Sequence, residues 1–188
     1  MEKTKLGPQG FLLPMPMVIV GTDVGEKANF MPVAFVTRTN YAPPRIGIAL
    51  GKTHHTNIGI REHREFSVNI PHEGMRVVTD HIGLTGGAKA DKSGLFEVFR
   101  GQLAHAPMIA ECPLTMECRL VHTVDQPSNE FFIGDIVETY CNPDCLADGK
   151  PDIARIKPFT LTMPDNRFWA VGVQIGKAWS DGRGYRKG

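Results

Sequence analysis

Apolar and polar residues alternate over short stretches of this chain, as expected for half-buried β-strands. A compact apolar run from Met15 to Gly21 is followed by the polar loop Thr22 to Ala28 and by a second run from Phe30 to Thr37. This pair of runs predicts a β-hairpin. One face of its second strand would carry Met31, Val33, Phe35 and Thr37.

Five further segments predict strands, because they are short, rich in apolar residues and bounded by turn residues. They are residues 45–50, 66–70, 114–124, 130–140 and 168–178. The turn-rich residues 125–129 separate two of these segments, which predicts a second hairpin. In the last segment Gly172 and Gly176 interrupt the apolar pattern, as glycines do where a barrel strand bends.

Helical signals are few. A short helix is predicted from a cap at Thr53 or Thr56 to about His63. A second helix is predicted to end at Gly83, and its apolar face would carry Met75, Val78, Thr79 and Ile82. Many short strands with few helices predict an α+β, mostly β fold of the barrel or sandwich type rather than a doubly wound sheet.

The composition narrows the classes of function. The chain has 188 residues, of which 41% are hydrophobic, and this is enough for one domain with a real core. The formal net charge is +1, so the chain lacks the basic excess with which proteins neutralise nucleic-acid phosphates. Residues 177–188 lean basic, and we interpret them as a solvated tail. We therefore predict a single domain over residues 1–188 that binds no nucleic acid.

The sequence shows no signal for a membrane or for secretion. No stretch approaches the roughly 18 consecutive apolar residues of a membrane span, and residues 11–20 are too short and too proline-broken for a signal-peptide core. We therefore expect a cytoplasmic protein with reduced cysteines. Cys141 and Cys145 are separated by three residues, not by the two of a thioredoxin-type motif, so we interpret them as thiols of a loop. The scattered histidines give no reason to expect a metal site.

Three polar segments carry side chains that are able to bind a ligand. Asn29 stands near the start of a predicted strand. Residues 52–57 place hydroxyls, imidazoles and an amide at a predicted helix N-terminus, where free N–H groups favour anions. Residues 84–93 form a loop with two glycines, a hydroxyl and two lysines, which can wrap a phosphate. Each segment alone also has an ordinary interpretation, namely a turn, a helix cap and a surface loop.

In this order along the chain, the segments resemble the flavin reductase-like family of FMN-binding split-barrel proteins, which includes the flavoredoxins. The resemblance covers about residues 14–176. Its marks are the strand Met17–Thr22, the Asn29-x-Met31 pair, Phe35, the Pro43-Pro44 turn, Thr56 with residues 58–62, the stretch Glu65–Pro71, Gly86 followed by Asp91-Lys92, and the strand Phe132–Val137. The implied fold is a Greek-key split β-barrel with short flanking helices.

The resemblance also implies the residues that hold the cofactor, FMN. Asn29 would offer its amide to the polar edge of the isoalloxazine ring, and Phe35 would line that ring. Thr37 would hydrogen-bond the flavin or its ribityl chain. Thr56 and Lys92 would hold the phosphate.

One position departs from the family pattern. Before the strand Phe132–Val137 the family often has a histidine, whereas this chain has Asn129 in that region. Asn129 can still hydrogen-bond a flavin, but the basis for a proton relay there is weakened. The family also places a late aromatic side chain near the ring, for which Phe159 and Phe168 are both candidates. Lys89, in the same loop as Lys92, is expected to supply only a surface charge.

The function implied by the resemblance is an FMN-dependent oxidoreductase that passes electrons from NADH or NADPH to flavin or to a partner. No catalytic side chain is assigned, because the flavin itself carries out the hydride or electron step. The alternatives are an FMN electron carrier that another protein reduces, without nicotinamide activity, and a barrel that holds no cofactor. The resemblance further implies a homodimer with the flavin sites at its interface.

Overall fold

The computed structural model describes residues 1–87 and 90–186. Within these residues, short antiparallel strands form most of the regular structure. In chain order the strands are β1 (Met15–Pro16), β2 (Val18–Val24), β3 (Lys27–Val33), β4 (Val36–Asn40), β5 (Arg45–Gly51), β6 (Glu65–Ile70), β7 (Val98–Phe99), β8 (Met108–Ile109), β9 (Leu114–Asp125), β10 (Asn129–Cys141), β11 (Leu146–Ala147), β12 (Lys150–Pro151), β13 (Phe159–Thr162) and β14 (Arg167–Ala170). The α-helices are α1 (Thr56–His63), α2 (Arg76–Leu84) and α3 (Ile153–Ile156).

The main sheet has seven strands in the order β3-β2-β6-β9-β10-β5-β4. Both predicted hairpins are confirmed: β2 pairs with β3, from Val18 opposite Val33 to Val24 opposite Lys27, and β9 pairs with β10. Because three of the six pairs of neighbouring strands are not consecutive in the chain, the order is of the Greek-key type rather than a simple meander. The predicted mostly β fold is therefore confirmed.

The two edge strands of this sheet, β3 and β4, are joined by Ala34 and Phe35 alone. Six strand spacings would separate the edges of a flat sheet by roughly 29 Å. The link from Val33 to Val36 can span only about 11 Å. The sheet must therefore curl until its edges meet, which makes it a barrel.

This tight link also corrects one prediction. The strand predicted over residues 30–37 is broken, because β3 ends at Val33 and β4 begins at Val36. Phe35 lies in the connection and Thr37 lies on β4, so neither shares a strand with Asn29 on β3. Alternation alone cannot show such a break, because both halves keep the same period of two.

Hydrophobic side chains fill both faces of the β2–β3 hairpin. Val18 and Val20 of β2 point into the barrel core with Phe66 and Phe132, whereas Ile19 belongs to a second cluster beneath α2. A strand that is buried on both faces needs apolar residues at every position. This explains why residues 15–21 form a continuous apolar run instead of an alternating one.

Helix α1 covers one end of the barrel. Its Ile60 is fully buried in the barrel core. A Cβ at Gly59 would lie 1.9 Å from the backbone oxygen of Asp23, so a glycine is required where the helix crosses β2. Asn57 donates to Glu130 Oε2 on β10 at 2.7 Å and to the carbonyl of Gly51 at 3.2 Å. These contacts fix the first turn of α1 against the sheet.

A buried carboxylate fixes the loop that crosses the second cluster. Glu117 of β9 is fully buried, and its oxygens accept hydrogen bonds from the backbone N–H groups of Gln102 and Leu103 and from the hydroxyl of Tyr140. These bonds offset the cost of burying the charge. Burial, and after it the hydrogen bond to Glu117 and the charge of that carboxylate, raise the pKa of Tyr140 to about 12.

The last predicted strand is only partly correct. Residues 168–178 were expected to be extended and paired, but β14 ends at Ala170 at the edge of a small sheet of order β1-β13-β14. Residues 171–177 belong to no strand. Their apolar alternation resembles that of a strand, but no strand among the described residues pairs with them.

The helices in the described part of the chain are too short or too polar to cross a lipid bilayer.

Candidate functional site

A cavity of about 370 Å³ opens where the start of α1, β3, the end of α2 and the glycine loop after α2 meet. Three of the residues expected to bind a ligand, Asn29, Thr56 and Lys92, lie in its wall although they come from separate parts of the chain. The remaining lining residues are Met31, Pro32, Thr53, His54, His55, Ile82, Gly83, Thr85, Gly86 and Gly87.

Asn29 and Thr56 are in direct contact. The Asn29 amide donates from Nδ2 to Thr56 Oγ1 at 2.9 Å, and both side chains are buried. Thr56 is the first residue of α1, and the N-cap is His55, whose side chain makes no capping bond. The expectation that Thr53 or Thr56 caps this helix is therefore wrong, because the Thr56 hydroxyl is engaged by β3 instead.

The N-terminus of α1 presents backbone donors to the cavity. The amides of Asn57 and Ile58 already donate to the carbonyls of His54 and His55. Among the residues that the structure describes, the amides of His55 and Thr56 have no acceptor. Free N–H groups at the positive end of a helix form a preferred place for an anion.

Lys92 brings a buried positive charge to the same cavity. Its side chain is only 6% exposed, and Nζ donates to the carbonyl of Ile82 at 2.6 Å and to that of Phe30 at 3.3 Å. No carboxylate of the described residues lies within salt-bridge distance of it. An ammonium has three donors, so one remains after the two carbonyls are satisfied. A buried cation without a counter-ion favours an anionic ligand.

The burial of Lys92 has electrostatic consequences. It lowers the pKa of Lys92 from its ordinary value of 10.5. Burial, and after it the positive charge of Lys92, lower the pKa of His54 as well. Both effects favour the neutral form of His54, which lines the cavity as a hydrogen-bonding group.

The turn that contains Asp91 and Ser93 fixes the direction of the Lys92 side chain. Asp91 accepts hydrogen bonds from the backbone and side chain of Ser93 and forms an ion pair with Lys27 of β3 at 2.6 Å. The hydrogen bond from Lys27, and after it those from Ser93, lower the pKa of Asp91 well below its usual range. Because these contacts hold Asp91 on the exposed side, the next side chain, Lys92, points toward the cavity.

The glycine loop approaches the Asn29–Thr56 pair closely. A Cβ at Gly87 would lie 2.5 Å from Asn29 Oδ1 and 3.2 Å from His55 Cδ2, whereas a Cβ at Gly86 would meet nothing within 4 Å. Gly87 therefore leaves room that any side chain would fill. Ala88 and Lys89 lie outside the described residues, so the expected solvent exposure of Lys89 stays a prediction.

Two further cavities adjoin the first. One of about 260 Å³ shares Asn29, His55, Gly87 and Lys92 with it. Another of about 400 Å³ shares Pro32 and Gly83, and it continues along β3 to Ala34 and Phe168. The three cavities together form a track along β3, and the end of the track at Phe168 is lined by apolar residues together with Thr79, Asp80 and Asn166.

The other predicted site residues lie outside the first cavity. Phe35 is half exposed and Thr37 is exposed beside it on β4. Asn129 pairs with Gly51 where β10 begins, and its Oδ1 accepts from the Ser128 hydroxyl at 2.7 Å.

Of the two late aromatic candidates, Phe168 lines the cavity along β3. Phe159 is buried behind it and packs edge-to-face on it, with 5.3 Å between the ring centroids.

Sequence reasoning missed the contribution of α2. Ile82 and Gly83 line the cavity, and the carbonyl of Ile82 accepts a hydrogen bond from Lys92. The helix end itself was predicted, but the pattern gave no sign that its carbonyl would hold a lysine. No local signal indicates this bond, because Lys92 follows Ile82 by ten residues.

Comparison with known proteins agrees with this geometry. The model of the flavin reductase-like domain matches residues 11–157. The X-ray crystal structure of flavoredoxin from Methanosarcina acetivorans is 48% identical, with a TM-score of 0.95 over 97% of this chain and 98% of that one. The flavoredoxin of Desulfovibrio vulgaris (Miyazaki F) is 30% identical, with a TM-score of 0.90 over 97% and 100%. An uncharacterised protein of Archaeoglobus fulgidus is 30% identical over 145 residues, which are 76% of this chain and 81% of that protein.

The chain therefore belongs to the flavin reductase-like family, and the resemblance inferred from its sequence is confirmed. Membership of this family indicates a flavin-linked redox function.

Gly87 offers a first test of the cavity as a flavin site. We expect Gly87→Ala to weaken the binding of added FMN at least tenfold, because its methyl group would displace Asn29 from Thr56. The matched control is Gly86→Ala, which adds the same methyl group to open space and should change the affinity less than twofold. Fluorescence titration measures both, and equal affinities for the two variants would contradict the assignment.

Proposed function

We propose that this protein binds FMN in the cavity at the start of α1 and passes electrons from NADH or NADPH to flavin or to a redox partner. The observation that carries the proposal is the convergence of Asn29, Thr56 and Lys92, three residues from separate segments, on one cavity. FMN agrees with the likeness to an FMN-binding protein from Thermus thermophilus, which is 20% identical with a TM-score of 0.76.

The phosphate of FMN fits the polar end of the cavity. A phosphate dianion would accept hydrogen bonds from the Lys92 ammonium and from the free amides of His55 and Thr56. It would also supply the counter-ion that Lys92 lacks among the described carboxylates. These donors come from a helix start and a loop held by Asp91, so they are already in place before the ligand arrives.

Direct contact between Asn29 and Thr56 changes the expected role of Asn29. Two residues joined by a 2.9 Å hydrogen bond act at the same end of an extended cofactor. If Thr56 binds the phosphate, Asn29 serves the phosphate or the adjoining ribityl chain and not the far edge of the ring. We therefore assign Asn29 to hold the Thr56 hydroxyl in position.

The isoalloxazine ring would lie along β3, over the apolar part of the track. Met31 and Pro32 border the first cavity, and Phe168 borders the next. Flavin sites need an apolar slot for the rings and donors for the polar groups. Phe35 follows directly after this part of the track and can line its far end, whereas Thr37 and Asn129 stay predicted flavin ligands.

When bound, FMN supplies the hydride and electron chemistry. The side chains described above bind and orient it, and the buried barrel face excludes water from one side of the slot.

An FMN electron carrier without nicotinamide activity is the second candidate, and the likeness to two flavoredoxins over nearly their whole length favours it. The homodimer implied by the family resemblance is part of both proposals.

The Lys92 side chain tests the phosphate assignment. We expect Lys92→Ala to weaken FMN binding by about ten- to a hundredfold, because a charged hydrogen bond contributes roughly 1.5–3 kcal/mol. Riboflavin lacks the phosphate, so its affinity should change less than threefold. The ratio of the FMN affinity to the riboflavin affinity isolates the phosphate contact, because loss of the structural bonds of Lys92 to Ile82 and Phe30 would weaken both ligands alike.

The control for this variant is Lys52→Ala. Lys52 lies next to the cavity wall, but its ammonium pairs with Asp125 at 2.6 Å. Its removal should leave the preference for FMN over riboflavin unchanged. A Lys92→Ala protein that keeps the wild-type preference would show that the phosphate binds elsewhere.

A pH titration tests the same charge without a mutation. Protonated Lys92 attracts the phosphate and neutral Lys92 does not, and burial puts the pKa of Lys92 below 10.5. The preference for FMN over riboflavin should therefore fall as the pH rises through the alkaline range, starting below pH 10.5. Using the ratio cancels titration of the ring, which both ligands share. A ratio that stays constant through this range would argue against Lys92.

Oxidation of NADH or NADPH distinguishes the two proposed functions. We expect the FMN-loaded protein to oxidise one of the two nucleotides in a steady-state absorbance assay, and Gly87→Ala to lose this activity in proportion to its bound FMN. A protein that keeps FMN, is reduced by dithionite and oxidises neither nucleotide would instead be the electron carrier.

A further inference from the structure

The smaller of the two adjoining cavities is a cleft that continues from the phosphate end of the first cavity. Its volume is about 260 Å³, and the two spaces share four lining residues. These shared residues are Asn29, His55, Gly87 and Lys92. A ligand whose phosphate lies against Lys92 can therefore extend past that phosphate into the cleft.

The outer wall of the cleft carries an ion pair. Lys27 is the first residue of β3, and its Nζ lies 2.6 Å from Asp91 Oδ2. Both residues line the cleft, and their side chains are 67% and 48% exposed, so the pair stands at the rim of the cleft. Among the described residues that line this cleft, Asp91 alone carries a negative charge.

The two members of the pair are held unequally. Asp91 Oδ1 accepts hydrogen bonds from the backbone N–H of Ser93 at 2.9 Å and from the Ser93 hydroxyl at 2.6 Å. The Lys27 ammonium bonds only to Asp91 within the described part of the chain. Lys27 is thus a flexible, exposed side chain that a ligand can draw aside, whereas the carboxylate of Asp91 stays at the rim.

The charge of the cleft, rather than its size, distinguishes between two forms of flavin. FMN ends in a single phosphate, which carries close to two negative charges at pH 7. FAD continues through a second phosphate to adenosine, and each of its two phosphates carries roughly one negative charge. The first phosphate of FAD would therefore attract Lys92 less strongly, and the second would enter the cleft beside Asp91. Like charges repel at this range, although water at the rim weakens the effect.

We propose that Asp91 makes the site selective for FMN over FAD, so that the Lys27–Asp91 pair marks the point where a bound flavin must end. This rests on the proposed function, because it takes the flavin phosphate to lie against Lys92. Asp91 is then a specificity-determining residue, whose fixed charge opposes the extension of the larger cofactor.

Substitution of each member of the ion pair tests the proposal, because the two changes have opposite expected effects. Asp91→Asn keeps an oxygen for Ser93 but removes the charge and frees Lys27, so the ratio of FMN affinity to FAD affinity should fall about fivefold. Lys27→Ala leaves the charge of Asp91 unpaired, so the same ratio should rise about threefold. Isothermal titration calorimetry measures both flavins with each protein. Both variants break the same ion pair, so a shift of the ratio in one common direction would indicate a structural role alone and overturn the proposal.

The wild-type protein supplies a second test. It should prefer FMN to FAD by about tenfold at low ionic strength, and salt at roughly 1 M should reduce this preference, because salt screens exposed charges. The control, Asp125→Asn, breaks the ion pair with Lys52 outside the cleft and should change the ratio less than about twofold.

The same titrations separate a failure of this selectivity from a failure of the proposed function. A protein that prefers FMN to riboflavin but binds FAD as tightly as FMN would overturn the role of Asp91 and leave the phosphate assignment standing. A protein that binds FMN no better than riboflavin would contradict the phosphate assignment and with it the selectivity.

Discussion

The main sheet closes because only Ala34 and Phe35 join its two edge strands, and the site depends on this closure. Closing the barrel buries one face of β3 against the core and leaves its other face beneath α2. Helix α1 then covers the barrel end, where Gly59 lets it cross β2 closely. The helix start, the strand and the end of α2 thus meet at one place.

The cavity at this meeting point is organised around one charge. Lys92 is held by the carbonyls of Phe30 and Ile82, so the same ammonium joins β3 to α2 and leaves one donor for a ligand. The Asn29–Thr56 bond joins β3 to α1 in the same way. The hydrogen bonds that stabilise the fold here therefore also hold the donors of the cavity in position for a ligand.

The sequence predicted most strands and singled out three residues that line the cavity, because those signals are local. Alternation marks strands whatever their partners, and Asn29, Thr56 and Lys92 stand in recognisable segments. The break between β3 and β4 was missed, because apolar and polar residues keep alternating across Phe35, where the chain turns from one strand to the next. Residues 171–178 were predicted as part of the last strand for a related reason: apolar residues such as Val173 indicate a surface that needs covering, but not what covers it.

A structure of the protein with FMN tests the central claim most directly, because it locates the phosphate. The account predicts that the phosphate oxygens lie within hydrogen-bond distance of Lys92 Nζ and the amide of Thr56, with the ring along β3 toward Phe168. A phosphate bound elsewhere, with Lys92 still bonded only to the carbonyls of Phe30 and Ile82, would contradict it.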